Sequence, residues 1–217
     1  MFSPGAENGL VDGVLELFLD REIIYVGGWR TVYNWTKERL AEIGFPTDQT
    51  YNHLIFVLPY LGDGQFGFAG IALGRDSLYN DGYGSNWSVL MHEMGHNIGL
   101  GHSGEGSDRY GDHTCLMGSP YPKDKHMCYN APKSWATGWY RDRHVNIKVG
   151  PRPRYLDLIS LDSYLGGRAT EGYQYVIARL YAKVASSPHS TNWAYWLMYN
   201  RATGLNKGVK EYPNLVT

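Results

Sequence analysis

The stretch His92-Glu93-Met94-Gly95-His96-Asn97-Ile98-Gly99-Leu100-Gly101-His102 constrains this 217-residue chain more than any other. It dictates a helix, a stop and a reversal. On an α-helix, residues four apart share one face with Cβ atoms about 6 Å apart, so His92 and His96 can aim ring nitrogens at one metal ion. Glu93 then projects beside the ion rather than onto it. A third ligand from the next helical turn would crowd the first two, so the chain must leave the helix, and Gly99 permits this because glycine accepts positive φ without steric cost. His102 arrives from outside the helix as the third ligand. Three neutral imidazoles leave a fourth position open to water, the arrangement of one catalytic zinc ion (Zn2+) rather than of a closed structural site. Glu93 is then the general base toward that zinc-bound water, and the implied chemistry is metal-assisted hydrolysis of peptide bonds.

Composition narrows the remaining classes. With 20 basic and 21 acidic residues the net charge is −1, which makes no electrostatic case for nucleic acid or for an anionic membrane surface. No apolar run reaches the roughly 20 residues that span a bilayer, and Met1-Phe2-Ser3-Pro4-Gly5 lacks the basic start and apolar core of a signal peptide. The 18 Tyr, 7 Trp and 27 Gly favour strands and irregular loops over a helix bundle, so the fold class expected is α+β. Cys115 and Cys128 could form a disulfide worth roughly 3 kcal/mol in an oxidising compartment. The alternative is a pair of reduced, buried thiols in a cytosolic protein.

Along the chain, residues 14–26 read as strand-forming, with Ile23-Ile24-Tyr25-Val26 clearest. A helix is expected from Trp29 to Ile43, carried by Val32, Trp35, Leu40 and Ile43 and ended by Gly44 and Pro46. His53 to Leu58 reads as a buried central strand, with His53 structural, and Gly70 to Gly74 as a short strand suited to a sheet edge. Ser85 is the expected cap of the motif helix, Asn86 to Asn97, in which Gly95 implies close approach by another backbone. A further helix is expected over Asn130 to Trp139, with Asn130 as cap, Pro132 in the first turn and Gly138 near its end. Beyond Arg143 the texture changes, and Arg154–Leu165, Tyr173–Ala182 and Trp193–Arg201 read as strands. The domain organisation expected is a catalytic part over 1–142 and a β-rich C-terminal part over 143–217 packed on it.

The elongated histidine motif followed by Cys115-Leu116-Met117-Gly118 resembles the metzincin clan of zinc proteases. Within that clan, Tyr110-Gly111-Asp112, Cys115-Leu116-Met117-Gly118, Cys128-Tyr129-Asn130-Ala131-Pro132-Lys133-Ser134-Trp135 and Gly138-Trp139-Tyr140 look like gametolysin-family proteases. Similarity covers roughly residues 51–142, and Tyr195 to Arg201 followed by Gly204 is also similar. The resemblance implies a twisted mixed sheet, an active-site helix, a methionine turn with Met117 as the apolar floor under the metal, and a C-terminal helix. It also implies a secreted monomeric endopeptidase that acts on matrix or cell-wall proteins rich in proline or hydroxyproline. Substrate would bind in extended form along the strand near Ile71. Met127 is the rival for the turn methionine. Two residues after Met117, where many clan members carry a metal-assisting tyrosine, this chain has Ser119, and Tyr121 is the nearest aromatic residue.

Two other readings compete. A matrixin-like protease is the neighbour within the clan, since Ser103 follows His102. A zinc-stabilised binding module for glycan or proline-rich chains is the different class, with Tyr155, Tyr173, Tyr175, Trp193, Tyr195, Trp196 and Tyr199 as its surface, although strand aromatics more often form core. Tyr110, His113 and Tyr121 are candidate oxyanion donors. Glu105, Asp108, Asp112 and Asp124 offer acidic oxygens without calcium-loop spacing, and His113, His126, His144 and His189 are read as surface or packing residues.

Overall fold

A computed structural model of the chain describes residues 10–11, 13–21, 28–45, 53–59, 66–118, 126–165, 173–182 and 194–217. The architecture is α+β with mixed sheets, and it divides into two compact units, Met1–Ser85 and Asn86–Thr217. The compositional change near residue 143 falls inside the second unit. The strand-like run Ile23-Ile24-Tyr25-Val26 lies outside the described residues.

In the first unit, β1 (Leu10–Val11) and β2 (Val14–Leu15) form a two-stranded antiparallel pair. Helix α1 (Trp29–Glu42) starts after Gly28 and ends at Ile43-Gly44, one residue short of the span expected from its apolar spacing. Both boundaries use glycine where φ is positive, 100° at Gly28 and 72° at Gly44. Val32 and Leu40 of α1 join Phe56, Leu58 and Leu78 in one core.

The sheet beside this core corrects the sequence reading. β3 (Leu54–Leu58), β4 (Gly70–Leu73) and β5 (Asp76–Asn80) run in the order β3-β5-β4, so among the described residues β5 is the central strand and β3, expected to be central, lies at an edge. β5 pairs in parallel with β3 and antiparallel with β4. Its polar start disguised it: Asp76-Ser77 looks like a loop, yet both are buried. The Asp76 carboxylate is compensated by Tyr33 Oη donating at 2.6 Å and Lys37 Nζ at 3.2 Å, so a charge enters the interior with its partners. Conversely Ile55 and Val57, which read as core, are exposed. Short apolar runs do not announce how many faces are covered.

The second unit opens on α2 (Trp87–Asn97). Its cap is Asn86 rather than Ser85: the Asn86 carboxamide accepts from Ser88 N at 3.0 Å and Val89 N at 3.3 Å, while Ser85 Oγ donates to Gly82 O. After an irregular stretch comes α3 (Ala131–Thr137), capped by Asn130 accepting from Lys133 N and closed by Gly138 at φ 75°, as its end signals predict. β6 (His144–Lys148), β9 (Ile177–Tyr181), β10 (Ala194–Asn200) and β11 (Leu215–Val216) form a sheet in the order β11-β10-β9-β6. β7 (Asp157–Leu158) pairs with β8 (Gln174–Tyr175) in a smaller sheet. Arg154–Leu165 is therefore not one strand. Only Asp157–Leu158 extends, and Leu161–Leu165 coils into a short helix, α4, where Ser160 Oγ accepts from Ser163 N as a cap does.

Cys115 and Cys128 are free thiols, which corrects the expected disulfide. Their sulfurs face different partners. Cys115 Sγ accepts from Met117 N at 3.4 Å and Asn130 N at 3.3 Å, whereas Cys128 Sγ donates to Leu205 O at 3.5 Å. Burial pushes both thiols up, Cys128 to about 12, so neither carries a thiolate at neutral pH.

Gly118 marks the tightest turn in this unit. A Cβ there would overlap the carbonyl oxygen of Asp112, a main-chain atom with no rotamer to escape through. Gly118→Ala should destabilise by about 3 kcal/mol, lowering Tm by about 6–12 °C in thermal unfolding. Gly150→Ala, with open space around the added methyl, should stay within about 0.5 kcal/mol of wild type.

Candidate functional site

His92 and His96 lie one turn apart on α2, and their rings meet edge to face with centroids 4.9 Å apart. The helix stops at Ile98. Gly99, at φ 90°, turns the chain back, with its N–H on His96 O and the next N–H, of Leu100, on Gly95 O. That reversal brings His102 against the helix, its ring centroid 4.5 Å from His96 and 5.3 Å from His92. Ligand atoms of the three histidines lie within 4.8 Å of one another, and no other such group of His, Cys, Asp or Glu gathers among the described residues.

The ring orientations are set from behind. His92 Nδ1 donates to Leu116 O at 2.9 Å and His96 Nδ1 donates to Leu100 O at 2.8 Å, which leaves each Nε2 with its lone pair in the shared space. His102 differs: Arg109 Nε donates to its Nδ1 at 2.9 Å, and its Nε2 stands 3.0 Å from His96 Nε2. A lone pair on His102 Nε2 requires the proton on Nδ1, and Arg109 must then turn aside. Lys133 Nζ donates to His102 O at 3.2 Å and secures the backbone there.

This donor set fits a divalent metal with imidazole ligands. Neutrality of the rings helps. Burial lowers the pKa of His92, and it lowers that of His102 to about 4, assisted by the neighbouring His96 and the Arg109 cation. Glu93 is buried on the same helix as the first two histidines.

Met117 is fully buried and packs under α2 at Gly95. A Cβ on Gly95 would come 2.5 Å from Met117 Sδ and 3.0 Å from Tyr129 Oη, so the close approach expected there is made by side chains and not by a second backbone. Tyr129 Oη donates to Met91 O at 2.5 Å and Leu116 N to Cys128 O at 2.9 Å, holding the 115–118 turn beneath the helix. Met127 is buried in the same cluster.

Of the other named residues, Tyr110 lies beside the histidines, its ring centroid 4.2 Å from His102 and 6.4 Å from His92. Asp112 is occupied by Thr114 and Asn130, Asp108 by the Tyr110 N–H. His144 stacks on Trp135 at 4.2 Å and His126 tilts over Trp87 at 5.4 Å. Tyr121, Ser119, Asp124 and His189 lie outside the described residues. The sequence reading missed Arg109, and no spacing rule could have found it, because its contact depends on the turn that folds 103–111 back on itself.

Residues 25–149, more than half of the chain, match the gametolysin peptidase M11 family, and the chain belongs to that family. It is also 42% identical over 66 residues to a protein named autolysin from Chlamydomonas reinhardtii, a match covering 29% of this chain and 10% of that protein. The match thus spans about a tenth of the relative's length. No solved structure matches.

The depressed pKa of His102 has a definite sign in stability. Between pH 6.5 and about 4 the unfolded chain takes up a proton at this residue that the folded chain refuses, so stability is full above pH 6.5 and falls as the pH drops through that window. With chelator present, Tm should fall from pH 7 to pH 4.5. His102→Gln should flatten that slope, and an unchanged slope would contradict the assignment.

Proposed function

Starting from that family membership, we propose that the protein is a secreted, monomeric zinc endopeptidase of metzincin type. Its substrates in this reading are extended segments of matrix or cell-wall proteins rich in proline or hydroxyproline. The observation that carries the reading is the convergence of His92, His96 and His102 on one helix and its reversal.

In this mechanism His92, His96 and His102 would hold the zinc ion, which would supply Lewis acidity toward a carbonyl oxygen and toward water. Glu93 accepts a proton from the attacking water and returns it to the leaving amine nitrogen as the C–N bond breaks. Its place on α2, directly after His92 and three residues before His96, supports that role. Met117 serves as the apolar floor that keeps the imidazoles from tilting away. Strand β4, at a sheet edge among the described residues, offers main-chain partners to an extended chain. The domain reading that goes with this places the catalytic part in 1–142 and a β-rich part in 143–217. Among the described residues, no helix is long and apolar enough to cross a membrane.

Glu93→Gln separates metal binding from chemistry. The variant should retain zinc at one ion per chain and lose at least about a hundredfold in the rate of gelatin hydrolysis. Zinc should raise the Tm of the wild type, and His96→Ala should lose both the zinc and that rise. Gelatin hydrolysis at the wild-type rate by zinc-loaded Glu93→Gln would sink the proposed base.

A further inference from the structure

A peptide bond under hydrolysis passes through a tetrahedral carbon bearing an oxyanion, and hydrogen-bond donors already aimed at that oxygen lower the barrier. His92 and His96 spend their Nδ1 protons on carbonyls, and Glu93 in its basic form only accepts. Among the described residues, the other donors beside the three rings are Lys133, whose Nζ is spent on His102 O at 3.2 Å, and those of the loop Gly104 to Gly111.

That loop is built to a narrow tolerance. Glu105 and Asp108 exchange two main-chain hydrogen bonds, N to O at 2.9 and 3.0 Å, and Gly111 N donates to Asp108 O at 3.2 Å. Asp108 Oδ1 accepts from Tyr110 N at 2.9 Å, fixing the direction in which residue 110 leaves the turn. A Cβ on Gly104 would come 2.6 Å from Asp108 O, a main-chain atom, which requires glycine there, and one on Gly111 would come 3.0 Å from Glu105 Cβ, a tight contact. The turn delivers Tyr110 onto the histidines. Its ring lies 4.2 Å from His102 and, with planes only 26° apart, 6.4 Å from His92. Tyr110 is 39% exposed, and its hydroxyl has no hydrogen-bond partner among the described residues. An aromatic ring roofing two candidate ligands, with its one polar atom uncommitted, is placed to meet a substrate.

We propose that Tyr110 is a further catalytic residue of the hydrolysis, whose phenolic O–H donates a hydrogen bond to the oxyanion of the tetrahedral intermediate. The inference rests on the endopeptidase reading above. The proton stays on the phenol throughout. Bond making and breaking are those already assigned, with Glu93 carrying the transferred proton, so Tyr110 adds stabilisation without a new chemical step.

The test compares wild type, Tyr110→Phe and Tyr110→Leu as full-length, zinc-loaded chains. Gelatin hydrolysis gives kcat and KM, and calorimetry gives the affinity of a phosphinic proline-containing peptide, whose tetrahedral anion imitates the intermediate. Tyr110→Phe should keep its zinc, its Tm and a KM within threefold of wild type, while kcat and phosphinic-peptide affinity each fall about a hundredfold. Tyr110→Leu should match it if the hydroxyl is what matters. A Tyr110→Phe protein within threefold of wild type in both kcat and phosphinic-peptide affinity overturns the proposal, as does a loss confined to zinc content. Wild type that cleaves nothing overturns the endopeptidase reading and the catalytic role of Tyr110 with it, whereas wild type that cleaves beside a Tyr110→Phe variant that cleaves equally well overturns the role of Tyr110 alone.

Discussion

One hydrogen bond, from His92 Nδ1 to the carbonyl of Leu116, joins the histidine helix to the turn beneath it, and the geometry of the site depends on it. The bond forms only if the 115–118 turn lies directly against α2. Gly95 allows the approach by omitting a Cβ, Met117 fills the space so created, and Gly118 lets the turn close against Asp112. Tyr129 then bolts the same segment to α2 through Met91 O. The helix and the turn lie more than twenty residues apart in sequence, so the site forms as a cooperative unit and not as a property of the helix alone.

The same economy governs the buried polar groups. Asp76 enters the interior of the first unit with a tyrosine and a lysine from α1 waiting for it. In the second unit Asn206 plays the corresponding part, accepting from Cys128 N at 3.1 Å and donating to Asn200 Oδ1 at 2.5 Å. A segment near the C-terminus thus holds the chain at Cys128, whose carbonyl in turn accepts from Leu116 N. Unpaired, either group would cost on the order of 1–3 kcal/mol or more.

Much of this was legible in the sequence where local chemistry decides. Helices α1 and α3 announced themselves through periodicity and end signals such as Gly44, Asn130 and Gly138, and the helix-and-reversal of the histidine motif follows from spacing and Gly99. What escaped was decided by tertiary environment. Whether Ile55 faces core or solvent, and whether Asp76 starts a loop or a central strand, depends on partners many residues away. The free thiols of Cys115 and Cys128 depend on side-chain direction, which cysteine counting does not contain. Arg109 reaches His102 only because the loop between them doubles back.

The three histidines meet two different kinds of partner through Nδ1, two carbonyls and one guanidinium that must turn aside before His102 Nε2 can offer a lone pair, and this shapes how such a site can vary. His92 and His96 are oriented by main-chain carbonyls, which every residue type carries, so no single substitution at Leu116 or Leu100 deletes the acceptor. His102 meets a side chain, the Arg109 guanidinium, which one codon change can remove. Heritable variation therefore has little purchase on the setting of the first two histidines and ready access to that of the third, making position 109 the natural dial for adjusting the site without rebuilding its frame.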